Sequence, residues 1–296
     1  MSMPVIKKQL PPAAPGLKAA SVGFKAAPHD WFESAVEVSQ LAASGLKVLV
    51  FGVSGTGKTT FACTFPKPLF LIRPEEVEDG SISVRNVAGV FTGPPITDVE
   101  QLDQIIQGQR RTNRYKTIVL DGITRLQDHV VKKHMGLQDV PVQQTYGGVP
   151  QADWNLIGIS MKEHLRDLLK LADTGTNVVL VGGERTVGES DNKNVVLPNP
   201  MIMVALSPGT SGFVHETCDY NFHSFKRRKV IMVKKTVMGK EVNAEVTTDK
   251  MEFCLHIDAH ELYGTKFRKP KDKTIPEVLS DPNYDKVAGI IKEVFA

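Results

Sequence analysis

Strongly apolar residues fall in short unbroken runs, at residues 48–51, 69–72, 118–120 and 178–181. Breakers precede several of them: Ser44-Gly45 before the first, Pro66 and Pro68 around the second, Thr174-Gly175 before the last. Runs this short, without in-out alternation, predict strands buried on both faces, as in a parallel sheet covered by helices. The intervening segments repeat at helical spacing. Residues 31–43 suggest a short helix. Thr97-Asp98-Val99-Glu100 has capping-box spacing, and Val99, Leu102, Ile105 and Ile106 form one stripe ahead of Arg110-Arg111. A longer helix is predicted over 153–172 from Leu156, Ile159, Leu165, Leu168, Leu169 and Leu171, and a last one over 286–295. Residues 81–91 read as a further strand ended by Gly93-Pro94-Pro95. Residues 136–150, and the polar stretch from Gly182 to Asn199, read as loops. Beyond them, residues 222–233 and 251–257 are the best strand candidates of a β-rich C-terminal part. The first 28 residues, rich in Pro, Ala, Gly and Lys, read as a flexible arm, leaving 29–296 as one domain.

The first apolar run feeds directly into Gly52-Val53-Ser54-Gly55-Thr56-Gly57-Lys58-Thr59-Thr60. This is the phosphate-binding loop pattern G-x-x-x-x-G-K-[ST], placed between a strand and helix-forming residues. Glycines at 52, 55 and 57 allow turns in which successive N–H groups point inward at phosphate oxygens, and the helix start adds positive potential. In this pattern Lys58 brings a mobile charge to the β- and γ-phosphates of ATP, and the Thr59 hydroxyl is the expected ligand to Mg²⁺. Residues 115–121 form an apolar strand ending in Asp121, the Walker B form. A parallel α/β sheet gathers ligands at the C-terminal edge of its strands, so Asp121 is expected beside the loop, holding Mg²⁺ through water.

Composition narrows the classes. With 41% hydrophobic and 23% charged residues, the 296-residue chain is ordinary for a globular protein. No uncharged apolar run reaches membrane-spanning length, and Lys7-Lys8 is followed by prolines rather than an apolar core. A cytoplasmic location without membrane attachment is the expectation. Cys63, Cys218 and Cys254 are odd in number and far apart, which implies no disulfide framework. A net charge of +3 does not announce a nucleic-acid partner, so that case rests on local clusters. Lys226-Arg227-Arg228-Lys229 and Lys234-Lys235, with Phe222 and Phe225 nearby, make a basic ladder suited to a nucleic-acid backbone or simply to solvent.

The order of strand, phosphate loop, helix, strand with acidic end, helix, strand with terminal Asp, helix, strand and β-rich end resembles the RecA-type recombinases. It is most similar to the RecA-like ATP-binding proteins of bacteriophages that act in single-strand annealing. The resemblance spans about residues 45–290 and is sharpened by Glu75, by Asp121-Gly122-Ile123-Thr124, and by Lys266-Phe267-Arg268 before Ile275-Pro276. It implies an α/β, RecA-like P-loop core with a mainly parallel sheet between helices. It also implies an ATPase that binds single-stranded DNA and self-associates into a ring or filament. By the same resemblance Glu75 orients the attacking water, with Glu76 as runner-up. Where the family often has Gln or His to sense the γ-phosphate, this sequence has Gly182-Gly183-Glu184, so Glu184 or Arg185 takes that place. Arg268, with Lys266 and Lys269, would complete a neighbouring subunit's site. Arg125, Lys132 and Lys133 join the basic ladder as candidate DNA contacts. Phe24 and Ala27 of the arm fit the F-x-x-A segment that docks on the next core; Phe32 and Ala35 repeat the pattern.

Cys254, His256, Asp258 and His260 alternate and would share one face of a strand, a set of types that binds zinc. Same-face neighbours rarely converge on a tetrahedral ion, and edge-strand polarity explains them better. Among rival functions, a P-loop kinase lacks a recognisable acceptor site and lid here. A GTPase lacks its guanine-reading motif, since Asn192-Lys193-Asn194-Val195 has no final carboxylate. A non-catalytic, ATP-gated assembly protein is the remaining alternative.

Overall fold

The computed structural model describes residues 45–71, 84, 86–93, 96, 99–137, 148–189, 196–237 and 240–296. The N-terminal arm, the helix expected over 31–43, and Glu75 and Glu76 lie outside the described residues.

Four of the apolar runs become adjacent parallel strands. They are β1 (Lys47–Phe51), β2 (Pro68–Leu71), β4 (Thr117–Asp121) and β5 (Asn177–Gly182). With β3 (Phe91–Thr92), β8 (Tyr220–Val237), β9 (Lys240–His256) and β11 (Val278–Ser280) they build a sheet in the order β11-β9-β8-β1-β5-β4-β2-β3. A short β10 (Lys266–Phe267) pairs antiparallel with β8. Every pair from β8 to β3 is parallel, and antiparallel pairing is confined to β9, β10 and β11. The β-rich character of the C-terminal part is thus one long hairpin added to a parallel core.

Side chains alternate across the strands and feed two separate cores. Leu49, Phe51, Ile118, Leu120, Val178 and Leu180 pack on one face against α2 (Val99–Thr112), α3 (Ile123–Met135), α4 (Gln151–Leu169) and α5 (Pro208–Thr217). Val48, Val50, Val119, Val179 and Phe222 pack on the other against α1 (Lys58–Cys63) and α6 (Tyr284–Phe295). Helices on both faces are what the double-sided burial of each run demands. No helix among the described residues is long and apolar enough to cross a membrane.

Three local readings are corrected and one helix is added. Among the described residues of the strand expected over 81–91, only Phe91 lies in a strand, β3, which pairs with β2, and Gly89 turns the chain before it with φ +80°. The expected loop from Gly182 to Asn199 contains β6 (Glu184–Glu189), which pairs antiparallel with β7 (Val196–Val204) as a separate two-stranded sheet. Its polarity hid a hairpin that has little apolar content to reveal it. The helix α4 buries Ile157, Met161, Leu165, Leu168 and Leu169, while Leu156 and Ile159 are each 53% exposed. The apolar stripe is therefore rotated from the one expected, with Ile157 and Met161 supplying its N-terminal half. The helix α5 follows Ser207 with Pro208 at its first position, a start signal that its Gly- and Ser-containing sequence obscured.

Candidate functional site

Registers place the chemistry at one edge. Phe51 pairs with Gly182 on one side and with His223 on the other, while Asp121 pairs with Val181. Because these strands are parallel, the segments after Phe51, Asp121 and Gly182 leave the same C-terminal edge, with β5 lying between the strands of the phosphate loop and of Asp121.

The loop after β1 is tied down at both ends. The Thr56 hydroxyl donates to Val53 O at 2.9 Å, and the Ser224 hydroxyl of β8 donates to Thr56 O at 2.8 Å. Gly57 has φ +88°, and a Cβ there would stand 2.8 Å from the Phe253 ring of β9. Both conformation and space therefore require glycine at this position. Val53, Ser54 and Gly55 are exposed, so the concave side of the loop is open to a ligand. Lys58 Nζ donates to Gly52 O at 2.9 Å and to Val53 O at 2.7 Å, which holds its ammonium along the loop. The helix α1 spans only six residues, so phosphate binding rests on the loop's own N–H groups and Lys58 more than on a helix dipole.

Thr59 and Asp121 meet directly. The Thr59 hydroxyl donates to Asp121 Oδ2 at 2.7 Å. Burial pushes the Asp121 carboxyl above its ordinary range; the Thr59 bond, Lys58 and the Gly122 N–H oppose that rise. A half-sunken carboxylate and a hydroxyl, both facing a phosphate cradle, form the oxygen-only, partial ligand set that suits Mg²⁺, which keeps waters and phosphate oxygens for its remaining positions. The residues fit the ion: Thr59 would hold it directly and Asp121 through water. The neighbouring Cys63 is no rival ligand, since burial and then Asp121 push its thiol up to about 12.

A second acid arrives from β6. Glu184 Oε2 lies 2.7 Å from His223 Nε2. Burial holds the His223 value below that of free histidine, against the pull of Glu184, while His260 and Lys58 lower it further. The ring is therefore neutral near pH 7; Nε2–H donates to the carboxylate, and Nδ1 is buried without a hydrogen-bond partner. Tyr263 stacks on the same ring with centroids 3.9 Å apart. His223 was not a sequence candidate. Its role depends on β8 pairing beside β1, for which a histidine in a mixed apolar run carries no signal.

The remaining candidates lie elsewhere. Arg268 Nε pairs with Asp219 Oδ1 at 3.1 Å, and its backbone N–H donates to Asp219 O. Asp219 N–H in turn donates to Lys47 O at the start of β1, so Arg268 sits at the opposite edge of the sheet from its own phosphate loop. The length of β1 puts that separation at about 13 Å or more. Lys266 Nζ caps the last turn of α5 through His215 O at 2.6 Å and Glu216 O at 3.0 Å, and Lys269 pairs with Asp258 at 2.9 Å. Arg125 pairs with Asp128 at 3.6 Å, and Lys133 with Glu100.

The basic ladder is not one face. Strand alternation puts Lys226 beside Gly55 and over the Phe253 ring, 5.1 Å from its centroid, whereas Arg227 turns away to Glu252 at 2.7 Å and Ser280 at 2.9 Å. The register shift between Arg228 and Val230 interrupts the pattern again. The four alternating zinc-type residues do not converge. Cys254 is buried against Glu252 and Ser280, and Asp258 is taken by Lys269. Among the described residues His256, His260 and Glu277 do offer atoms within 4.8 Å of one another, but His260 Nδ1 already accepts from Leu262 N–H at 3.0 Å.

The comparison with curated proteins returned no match. A family model described as "AAA domain" matches residues 44–238, from just before β1 to just past the end of β8. That span covers about two thirds of the chain and contains the phosphate loop, Asp121 and Glu184, so the chain belongs to the AAA domain family of P-loop ATPases.

Proposed function

We propose that this protein is a RecA-like ATPase that binds single-stranded DNA and promotes annealing or recombination as a ring or filament. The observation that carries the ATPase part is the Thr59–Asp121 hydrogen bond of 2.7 Å beside Lys58, an arrangement of cation, hydroxyl and carboxylate suited to a nucleotide triphosphate with its Mg²⁺. Loop N–H groups and Lys58 bind and orient the phosphates, since phosphoryl transfer depends on positioning and charge neutralisation. Bound Mg²⁺ supplies the larger share of that neutralisation. Glu184, held by His223 at the edge next to Lys58, orients water or senses the terminal phosphate, and Glu75 is the candidate for drawing the proton from water.

Two features support the finer reading. Arg268 lies at the far edge of its own sheet and remains 58% exposed on its side chain despite pairing with Asp219, so it reaches a phosphate loop only when another subunit supplies that loop. The β8–β9 ribbon carries Lys226 and Arg228 opposite the exposed Phe253 and Met251, a cationic and apolar mixture that suits a single strand's backbone and bases.

The test measures Mg²⁺-dependent ATP hydrolysis with and without oligothymidylate at two salt concentrations. Turnover that rises with the strand, and strand binding that weakens steeply with salt, are the expected results. Turnover indifferent to DNA removes the annealing part. ATP binding without turnover leaves an ATP-gated assembly protein.

A further inference from the structure

A cavity of about 590 Å³ lies on the α3–α5 face of the sheet, away from the phosphate loop. Its wall includes Trp154 of α4, Gln127 of α3, Lys162 of α4, Arg185 of β6, and Ser207 with Thr210 at the start of α5. The described residues lining it include two cations and no carboxylate. Arg185 Nε is buried there without a hydrogen-bond partner. Burial lowers the Arg185 value, the direction expected when a cation is sunk with nothing to compensate it. Lys162 Nζ reaches the first turn of α5, standing 3.4 Å from where a Cβ on Gly209 would be.

The position of Arg185 ties this cavity to the ATP site. Consecutive strand residues point to opposite sides, so Glu184 turns to His223 and the phosphate-loop edge while Arg185 turns into the cavity wall. One dipeptide serves both places.

We infer that the cavity is a second binding site, separate from the phosphate loop, for a nucleotide unit: a phosphate group carrying a planar ring. Arg185 and Lys162 take the phosphate, since a guanidinium offers paired donors and an orphaned Nε lacks an acceptor. Trp154 supplies a flat surface for the ring, and Gln127 lies at the same wall as a hydrogen-bonding side chain. The volume is within the range of sites for compact organic ligands. A free mononucleotide and one unit of a single strand share this chemistry.

The experiment uses the full chain carrying Lys58→Ala, to remove binding at the phosphate loop, and Trp31→Phe, which leaves Trp154 as the only indole. Its emission is followed on titration with AMP, with oligothymidylate and with inorganic phosphate. Saturable quenching by AMP identifies a free nucleotide as sufficient, and quenching by oligothymidylate alone identifies the strand; phosphate competes without quenching. Arg185→Gln and Lys162→Gln should each weaken binding by about 10-fold, the loss of one charge-assisted contact. Binding of phosphate with no response to either ring-bearing probe overturns the inference. So does quenching that neither substitution alters in variants whose unfolding midpoints match the parent chain.

Discussion

His215 of α5 offers a prediction whose size follows from the structure. Its ring is 9% exposed; Nδ1 faces Gly264 O at 2.9 Å, and Nε2 faces Val204 N–H at 3.3 Å. Only one tautomer satisfies both, with the proton on Nδ1 and the lone pair on Nε2. A second proton on Nε2 would set two N–H groups against each other and charge a buried ring. Burial therefore pushes the His215 value down to about 4; the Gly264 bond opposes this and Lys266 adds to it. In the unfolded chain the ring titrates near its ordinary 6.5, so as pH falls below 6.5 the unfolded state takes up a proton that the folded state refuses. The stabilisation is whole above 6.5, declines from there to about 4, and is flat below. Its full size is about 3 kcal/mol. His215→Asn keeps a donor toward Gly264 O and has no proton to gain in that window. It should cost about 1–2 kcal/mol at pH 7 for the unpaired Val204 N–H, yet lose less stability on acidification than the parent. Urea unfolding followed by circular dichroism at several pH values between 7 and 4 measures both slopes. Parallel loss in the two proteins would falsify the linkage to this ring.

Three further outcomes concern the ATP site. Lys58→Ala should weaken binding of a fluorescent ATP analogue by at least about 100-fold, because it removes the ammonium that lies along the phosphate loop and donates to Gly52 O and Val53 O. Glu184→Gln, which keeps the size but not the charge facing His223, should slow hydrolysis by about 10-fold or more with the Kd for ATP nearly unchanged; an equal loss in binding would make Glu184 a structural partner of His223 alone. Gly57→Ala should destabilise by about 1–2 kcal/mol from its left-handed backbone alone. Because its Cβ also meets Phe253 at 2.8 Å, the double variant with Phe253→Ala should recover part of the loss in thermal unfolding.

The chain's own order of residues determined a good deal. The glycine, lysine and threonine spacing after β1 is a local instruction, since each glycine answers a backbone requirement and Lys58 and Thr59 follow at fixed distance. The four apolar runs likewise declared themselves as buried strands, because burial on both faces leaves no polar alternation to confuse them. What the sequence left open is which strand lies beside which. Backbone hydrogen bonds are the same for any residue, so strand order is decided by distant packing rather than by local pattern. The tertiary structure alone brought β8 next to β1, and with it His223, Ser224 and Lys226 to the phosphate loop. It turned a continuous basic ladder into residues on opposite faces, and rotated α4 so that Ile157 and Met161 face the core while Leu156 and Ile159 face solvent. It also carried Arg268 to the edge opposite its own ATP site, because β10 pairs with the start of β8 and strand length then fixes the separation.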